Sequence, residues 1–215
     1  MTKYYNNKTE QYFQNKRLEM TNFIPSNAEV ILEIGCGTGA FGFEIKKKKD
    51  IIIWGVEPNL KASLIAKKQL DYVINSTFDE NTDFNNLKFD CIVFNDVLEH
   101  IAYPLETIEI AKKHLKPNGV IVSSIPNVYY YWNFLQNILY EDWKYEDAGI
   151  MDKTHLRFFS SKSIVRMFEE SGAEIIKHQG INSFYSRKFK LFNYLTLFRF
   201  NNWQFQQFAT VAKYA

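Results

Sequence analysis

VILEIGCGTGAFG, from Val30 to Gly42, begins as an apolar, β-branched run interrupted only by Glu33 and then breaks into glycines at Gly35, Gly37 and Gly39. Val, Ile and Leu in a short continuous run suit a strand buried on both faces. The glycines admit positive φ and leave no Cβ in the way, so a ligand can lie on the backbone at the carboxyl end of that strand. Working outward, further short Val/Ile-rich runs follow at Ile51–Val56, Tyr72–Asn75, Asp90–Phe94 and Val120–Ser124. Helical spacing separates them, most clearly in Pro104–Leu115. There Pro104 suits a first helical position, and Leu105, Ile108, Ala111 and Leu115 share one face. Lys116-Pro117-Asn118-Gly119 has the composition of a turn. Alternating strands and helices predict a Rossmann-like α/β fold with a doubly wound, mostly parallel sheet. Ser160–Glu170 reads as a helix with Ser160 as N-cap and Gly172 beyond its end. Ala173–Ile181 and Phe205–Ala212 then read as strands with no good helix crossover between them, which predicts an antiparallel end to the sheet. Seven strands result.

The spacing Gly35-x-Gly37-x-x-Ala40 also satisfies a dinucleotide fingerprint, so the loop alone leaves the ligand open. Glu33 separates the readings. Its carboxylate disfavours a pyrophosphate and suits the ammonium and sulfonium of S-adenosylmethionine. The chain is also short for a dinucleotide domain joined to a separate substrate domain. Glu57, in IIIWGVEPN, lies about 20 residues beyond the loop, where a carboxylate accepts hydrogen bonds from an adenosine ribose. Either cofactor would satisfy that contact.

EIGCGTG and Glu57 resemble the first motif and the ribose-binding acid of class I S-adenosylmethionine-dependent methyltransferases. FDCIVFNDVLEHIAYP, from Phe89 to Pro104, resembles the fourth-strand motif of the subgroup with ubiquinone-type O-methyltransferases. SIPNVYYYWN (Ser124–Asn133) and GIMDKTHLRFFSSKS (Gly149–Ser163) are similar to methyltransferases of bacterial surface-polysaccharide and O-antigen biosynthesis. The likeness runs from about Tyr12 to Ala212. It implies a single domain over 1–215, with an N-terminal helical lid at 1–27 and a core at 28–215. Acceptor-side insertions are expected near 129–159 and 183–204. It further implies S-adenosylmethionine as cofactor and S-adenosylhomocysteine as product. Glu33, Gly35, Cys36, Gly37 and Gly39 would surround the methionine part, and Glu57 the ribose. Pro58, Thr77 and Phe78 would flank the adenine, and Asn95, Asp96 and Val97 the sulfonium side. The family's Gly-Asp pair after the third strand is missing from INSTFDEN (Ile74–Asn81), which leaves the adenine contact open by a residue or two. The implied reaction is methyl transfer to a small-molecule oxygen, first on a sugar or glycan precursor. The alternatives are a quinone-like or phenolic acceptor, a catalytically silent cofactor-binding subunit, and a nicotinamide-dependent dehydrogenase.

A hydroxyl acceptor gains from a general base. His155, in DKTHLRFFS after the fifth strand, is the first candidate, with Asp152 to orient it and Arg157 to bind an acidic group on the acceptor. His100, in NDVLEH, is read as a structural hydrogen-bonding residue first and a base second. His114 reads as a solvated helix end. His178 lies in a strand with no obvious partner. Glu99 and His100 have metal-ligand chemistry, but no close HxH or HxxxH pair accompanies them, and no metal is expected.

Net charge is +2, and the longest basic run, Lys46–Lys49, ends a predicted helix, so nucleic acid is not implied. Cys36 and Cys91 fall in or beside buried strands and give no disulfide framework. No apolar run reaches the roughly 18 residues of a spanning helix, and MTKYYNNKTEQYF lacks a signal-peptide core, so a cytoplasmic location is expected. Aromatic residues make up 17% of the chain, and the excess gathers in Tyr129–Trp143 and Phe184–Phe208, which are expected to shape the acceptor pocket. The basic residues in SRKFKLFNYLTLFRFNNW leave contact with a membrane surface as a second reading, behind core packing or a homodimer contact.

Overall fold

The computed structural model describes Tyr5, Lys8 and residues 10–184 and 186–215. One sheet of seven strands organises them: β1 (Val30–Ile34), β2 (Ile52–Val56), β3 (Tyr72–Ile74), β4 (Phe89–Asn95), β5 (Leu115–Pro126), β6 (Glu174–Ser183) and β7 (Phe205–Lys213). Their order is β3-β2-β1-β4-β5-β7-β6. The first five pair in parallel, and β7 runs antiparallel between β5 and β6. Strand order reverses between β1 and β4, the switch point at which open α/β sheets bind ligands.

Residues alternate between two cores, one on each side of the sheet. Leu32, Ile34, Ile92 and Phe94 face one with Ile108 and Phe168. Ile31, Ile53, Cys91 and Val93 face the other with Phe41, Ile45 and Ala66. Two covered faces explain why these strands read as unbroken apolar runs. The helices are α1 (Ala40–Lys46), α2 (Leu60–Ala66), α3 (Pro104–Lys112), α4 (Tyr131–Tyr140), α5 (Ser161–Glu170) and α6 (Arg187–Leu195). Asn59 caps α2 by accepting from the Ala62 amide at 3.0 Å. Ser160 and Ser163 form a reciprocal capping box at α5, and Gly172 beyond its end has φ +80°.

Several expectations change. β5 starts at Leu115 and so includes the Lys116–Gly119 turn. The ladder steps from Phe89↔Leu115 to Cys91↔Val120, which absorbs the extra residues as a bulge. The β6–β7 connection contains α6, but the two strands are antiparallel neighbours, so this helix makes no crossover. In the N-terminal segment, residues 1–4, 6, 7 and 9 lie outside the described residues. The rest includes short 3-10 helices at Glu10–Gln14 and Leu18–Phe23. The lysine run is bound locally: Lys46 pairs with Asp71 at 2.5 Å, Lys47 with Glu44 at 3.0 Å, and Lys49 donates to the Pro25 carbonyl. Cys36 and Cys91 are free thiols inside the protein. Among the described residues no helix is long and apolar enough to cross a membrane.

Candidate active site

β1 delivers its chain into a loop in which Gly35, Gly37 and Gly39 have φ of +70°, +54° and +79°. A Cβ on Gly35 would stand 2.6 Å from Val97 Cγ2, and one on Gly37 would stand 2.6 Å from the Phe13 carbonyl. Neither glycine admits a side chain without moving its neighbours. Thr38 donates its amide and its hydroxyl to the Phe13 carbonyl, at 3.0 and 2.9 Å, which lays the N-terminal segment over the loop. Glu57, at the end of β2, accepts from the Gly37 amide at 2.9 Å and the Asn59 amide at 2.7 Å. Its third donor is the Tyr5 hydroxyl at 3.1 Å, and its side chain is fully buried. Burial pushes its pKa up, and the two amides pull against that shift.

A cavity of about 1460 Å³ opens beside this loop at the carboxyl ends of the parallel strands. Pockets that take drug-sized ligands occupy roughly 300–1,000 Å³, so there is room for two reactants. Glu33, Gly35, Cys36 and Gly37 line it from β1 and its loop, Pro58 after β2, Thr77 and Phe78 after β3, and Asn95, Asp96 and Val97 after β4. Gly39 does not reach it; its Cα faces Leu70 and Ala66, where loop and helices pack closely. Glu57 does not line it either, because Tyr5 covers the carboxylate. Glu33 Oε2 and both amide atoms of Asn95 are buried without a hydrogen-bond partner. Burial lifts the Glu33 carboxyl to about 8. Unpartnered buried polar atoms carry a desolvation cost that a bound ligand relieves. Asp96, in contrast, is engaged: it pairs with buried Arg17 and accepts from Gln207 at 2.7 Å and Ser124 at 3.3 Å.

Such a cradle fits S-adenosylmethionine. The glycine loop leaves room against the backbone, Glu33 offers one carboxylate oxygen without a partner, and Asn95 offers an amide. A ribose reaches Glu57 only in place of the Tyr5 hydroxyl.

Glu99, His100 and His155 stand together on another wall of the same cavity. The loop after β4 brings the first two, and the segment before α5 brings the third. The imidazole rings lie 4.6 Å apart between centroids. His100 Nδ1 lies 3.1 Å from the Thr154 carbonyl, and His155 Nδ1 lies 2.9 Å from the Ile150 carbonyl. A carbonyl only accepts, and the Thr154 hydroxyl, 3.0 Å from His100 Nδ1, already donates to Asp152 at 2.7 Å, so each Nδ1 carries the proton and each Nε2 presents a lone pair. His155 Nε2 faces Glu99 Oε1 at 3.9 Å, and the Tyr12 hydroxyl lies 3.3 Å from His100 Nε2. Burial keeps both rings neutral. It holds His100 down at about 4, helped by the neighbouring His155, and lowers His155 as well. Glu99 is raised to about 8, again by burial, and neither of its oxygens has a hydrogen-bond partner.

Several sequence expectations are corrected here. Asp152 does not orient the His155 ring: its carboxylate accepts from the Thr154 amide and hydroxyl and pairs with Lys8, and the Ile150 carbonyl orients the histidine. Arg157 points away from the cavity and donates Nε and Nη2 to the Ala102 carbonyl at 2.9 and 2.6 Å. Among the described residues, no aromatic side chain of the two stretches lines the cavity, although Gln206 and Gln207 of the second do. The aromatic rings pack on one another instead, as in Tyr131 against Phe184 and Phe189, and Trp203 against Phe134 and Phe200. His178 is held between Ser161 and Thr210 hydroxyls at 2.9 Å each and stacks on Phe208. His114 packs against Phe84 at 4.9 Å between ring centroids and is no freely solvated helix end. The residues that sequence reading missed are Tyr5, Tyr12 and Arg17. All three come from a polar N-terminal stretch whose pattern does not tell a solvated turn from a cavity wall.

A family model described as a methyltransferase domain matches residues 5–178. The chain is 34% identical over 107 residues to the ubiquinone biosynthesis O-methyltransferase of Histophilus somni, covering 45% of this chain and 44% of that protein. It is 34% identical over 148 residues to an uncharacterised protein of Methanocaldococcus jannaschii, covering 68% and 65%. The chain thus spans about half the length of the ubiquinone-type relatives it matches. In fold it is similar to a SAM-dependent methyltransferase from Archaeoglobus fulgidus, with a TM-score of 0.66 at 18% identity over 98% of this chain and 96% of that one.

Proposed function

This chain belongs to the S-adenosylmethionine-dependent methyltransferases of the methyltransferase-domain family, and from that membership we propose that it methylates a hydroxyl oxygen of a small molecule, with a phenolic or quinone-like ring as the leading acceptor class. The observation that carries the proposal is one cavity with a cofactor cradle on one wall and two neutral histidines with outward Nε2 lone pairs on another. Similarity to ubiquinone-type O-methyltransferases supports the aromatic acceptor. A sugar or glycan precursor is the second reading. It rests on the likeness of Ser124–Asn133 and Gly149–Ser163, of which Pro126, Gly149, Ile150, Asp152, Thr154, His155 and Leu156 line the cavity.

When bound, the cofactor supplies a methyl group already activated on a sulfonium. The protein's own task is then positioning, which lowers a barrier by about 7–11 kcal/mol. Glu33 receives the ammonium, Glu57 accepts from the ribose, and Pro58, Thr77 and Phe78 flank the adenine. Asn95 and Val97 line the sulfonium side. His155 Nε2 draws the acceptor hydroxyl and takes its proton, with His100 beside it.

His155→Ala is expected to lower turnover of a catechol-type acceptor by about 100- to 10,000-fold while S-adenosylhomocysteine affinity holds. Radiolabelled methyl transfer to a panel of catechols and sugar nucleotides checks this. Turnover of sugar nucleotides alone would move the second reading to first place. No turnover of any acceptor, with the cofactor bound, would favour a silent cofactor-binding subunit.

A further inference from the structure

Glu99, His100 and His155 have an arrangement that acid–base chemistry alone does not require. Both histidines donate Nδ1–H toward a backbone carbonyl, Thr154 at 3.1 Å and Ile150 at 2.9 Å. That contact fixes the tautomer and turns both Nε2 lone pairs toward the cavity, as metal-bound histidines are commonly held. Glu99 is 1% exposed, and both of its oxygens lack a partner. One donor atom from each of the three residues falls within 4.8 Å of the other two. Donors 2.0–2.2 Å from a common ion sit about 3.2–4.4 Å apart, so small side-chain rotations close the set. We propose that Glu99, His100 and His155 bind a divalent transition-metal ion of the zinc type, with one coordination position open to the cavity.

Two imidazoles and one carboxylate suit zinc, cobalt or iron. Magnesium and calcium prefer all-oxygen sets. Three protein ligands with a fourth position free is the arrangement of catalytic zinc sites. Tyr12, whose hydroxyl lies 3.3 Å from His100 Nε2, would give way to the ion. Lys8 adds no competing free charge, because it pairs with Asp152.

This role rests on the methyltransferase reading; the ion site itself does not. An acceptor hydroxyl bound at the open position loses its proton more readily, and that proton passes to solvent water. The oxygen lone pair forms the new O–CH3 bond as the C–S bond breaks, and its electron pair stays on sulfur. With the ion bound, His155 Nε2 is a ligand and the open position promotes the deprotonation; without the ion, His155 Nε2 is the base.

The test uses the full chain stripped with EDTA, titrated calorimetrically with Zn²⁺ and optically with Co²⁺. One Zn²⁺ per chain and visible Co²⁺ bands are expected. Glu99→Gln and His155→Ala should each weaken Zn²⁺ by more than the about 10- to 100-fold that loss of an outer-shell partner costs. His114→Gln should leave it unchanged. Absent Co²⁺ bands, or unchanged Zn²⁺ affinity in Glu99→Gln and His155→Ala, would overturn the proposal. S-adenosylhomocysteine titrated into the same samples certifies folding. If Glu99→Gln does not fold, His155→Gln and His100→Gln decide. Zn²⁺ binding that these variants abolish, in a protein that never binds S-adenosylhomocysteine, would leave the ion site standing and sink the methyltransferase reading alone.

Discussion

Glu33 carries two opposed demands. Within the protein its carboxyl is fully buried with one oxygen unpartnered, and burial lifts its pKa from 4.5 to about 8. A folded-state pKa above the unfolded one means the native chain holds the extra proton. The stabilisation this brings is complete below pH 4.5 and is lost as pH rises toward about 8. Glu33→Gln does not ionise and escapes that loss. Its stability relative to the parent should therefore grow between pH 5 and pH 8, by more than about 1 kcal/mol, in ligand-free thermal melts. The same substitution should weaken S-adenosylhomocysteine by roughly tenfold, since a charge-assisted hydrogen bond to the ammonium is lost. A variant less stable at pH 8 than the parent would show that Glu33 is held ionised by a partner. Its place before Gly35 was readable in the sequence, but its burial and its unpartnered oxygen were not, because both depend on strands brought together from β2 and β4.

At the scale of elements, the glycine loop, β2 and the N-terminal segment meet at one carboxylate. Tyr5 donates to Glu57 at 3.1 Å, and Phe13 accepts from Thr38. The segment thus lies over the loop and occupies a hydrogen-bonding position at Glu57 that a bound ribose would need. Tyr5→Phe removes that competitor and should tighten S-adenosylhomocysteine by about 2- to 10-fold, the worth of one ordinary hydrogen bond. Calorimetric titration reads this directly; weaker binding would mean that Tyr5 instead helps to cover the bound ligand. Elements with strong local signals were legible in the sequence. β1, β4 and α5 read true because unbroken apolar runs and a Ser160 cap point to one answer. β5 was read short because Pro117 and Gly119 look like a turn, and the bulge that absorbs them is a property of the pairing with β4. α6 was missed because its aromatic-rich sequence leaves most of its surface exposed, with only Phe189 and Asn193 buried.

Across the whole molecule, the strand order places the glycine loop, the Asn95–Val97 segment and the Glu99–His100 segment around one crevice. The cavity wall that carries the glycine loop was legible because its residues follow strand ends in chain order. The wall with Glu99, His100 and His155 was only half legible. His155 was singled out, yet its partner was taken as Asp152, three residues away, when the side chain it faces is Glu99, far off in sequence. Nearness along the chain is a poor guide once a long segment folds back over a sheet. The aromatic stretches were placed in the acceptor pocket for the same reason, and they form a separate packed layer with an exposed outer side at Tyr140, Tyr194 and Leu197.

The central claim is that the crevice at Gly35–Gly37 and Glu57 holds S-adenosylmethionine. Calorimetric titration of the full chain with S-adenosylhomocysteine, with NADH as control, tests it most directly. Saturable S-adenosylhomocysteine binding that Glu57→Ala abolishes, with no heat from NADH, is the predicted result. Binding of NADH in its place would contradict the account and return the glycine loop to the dinucleotide reading.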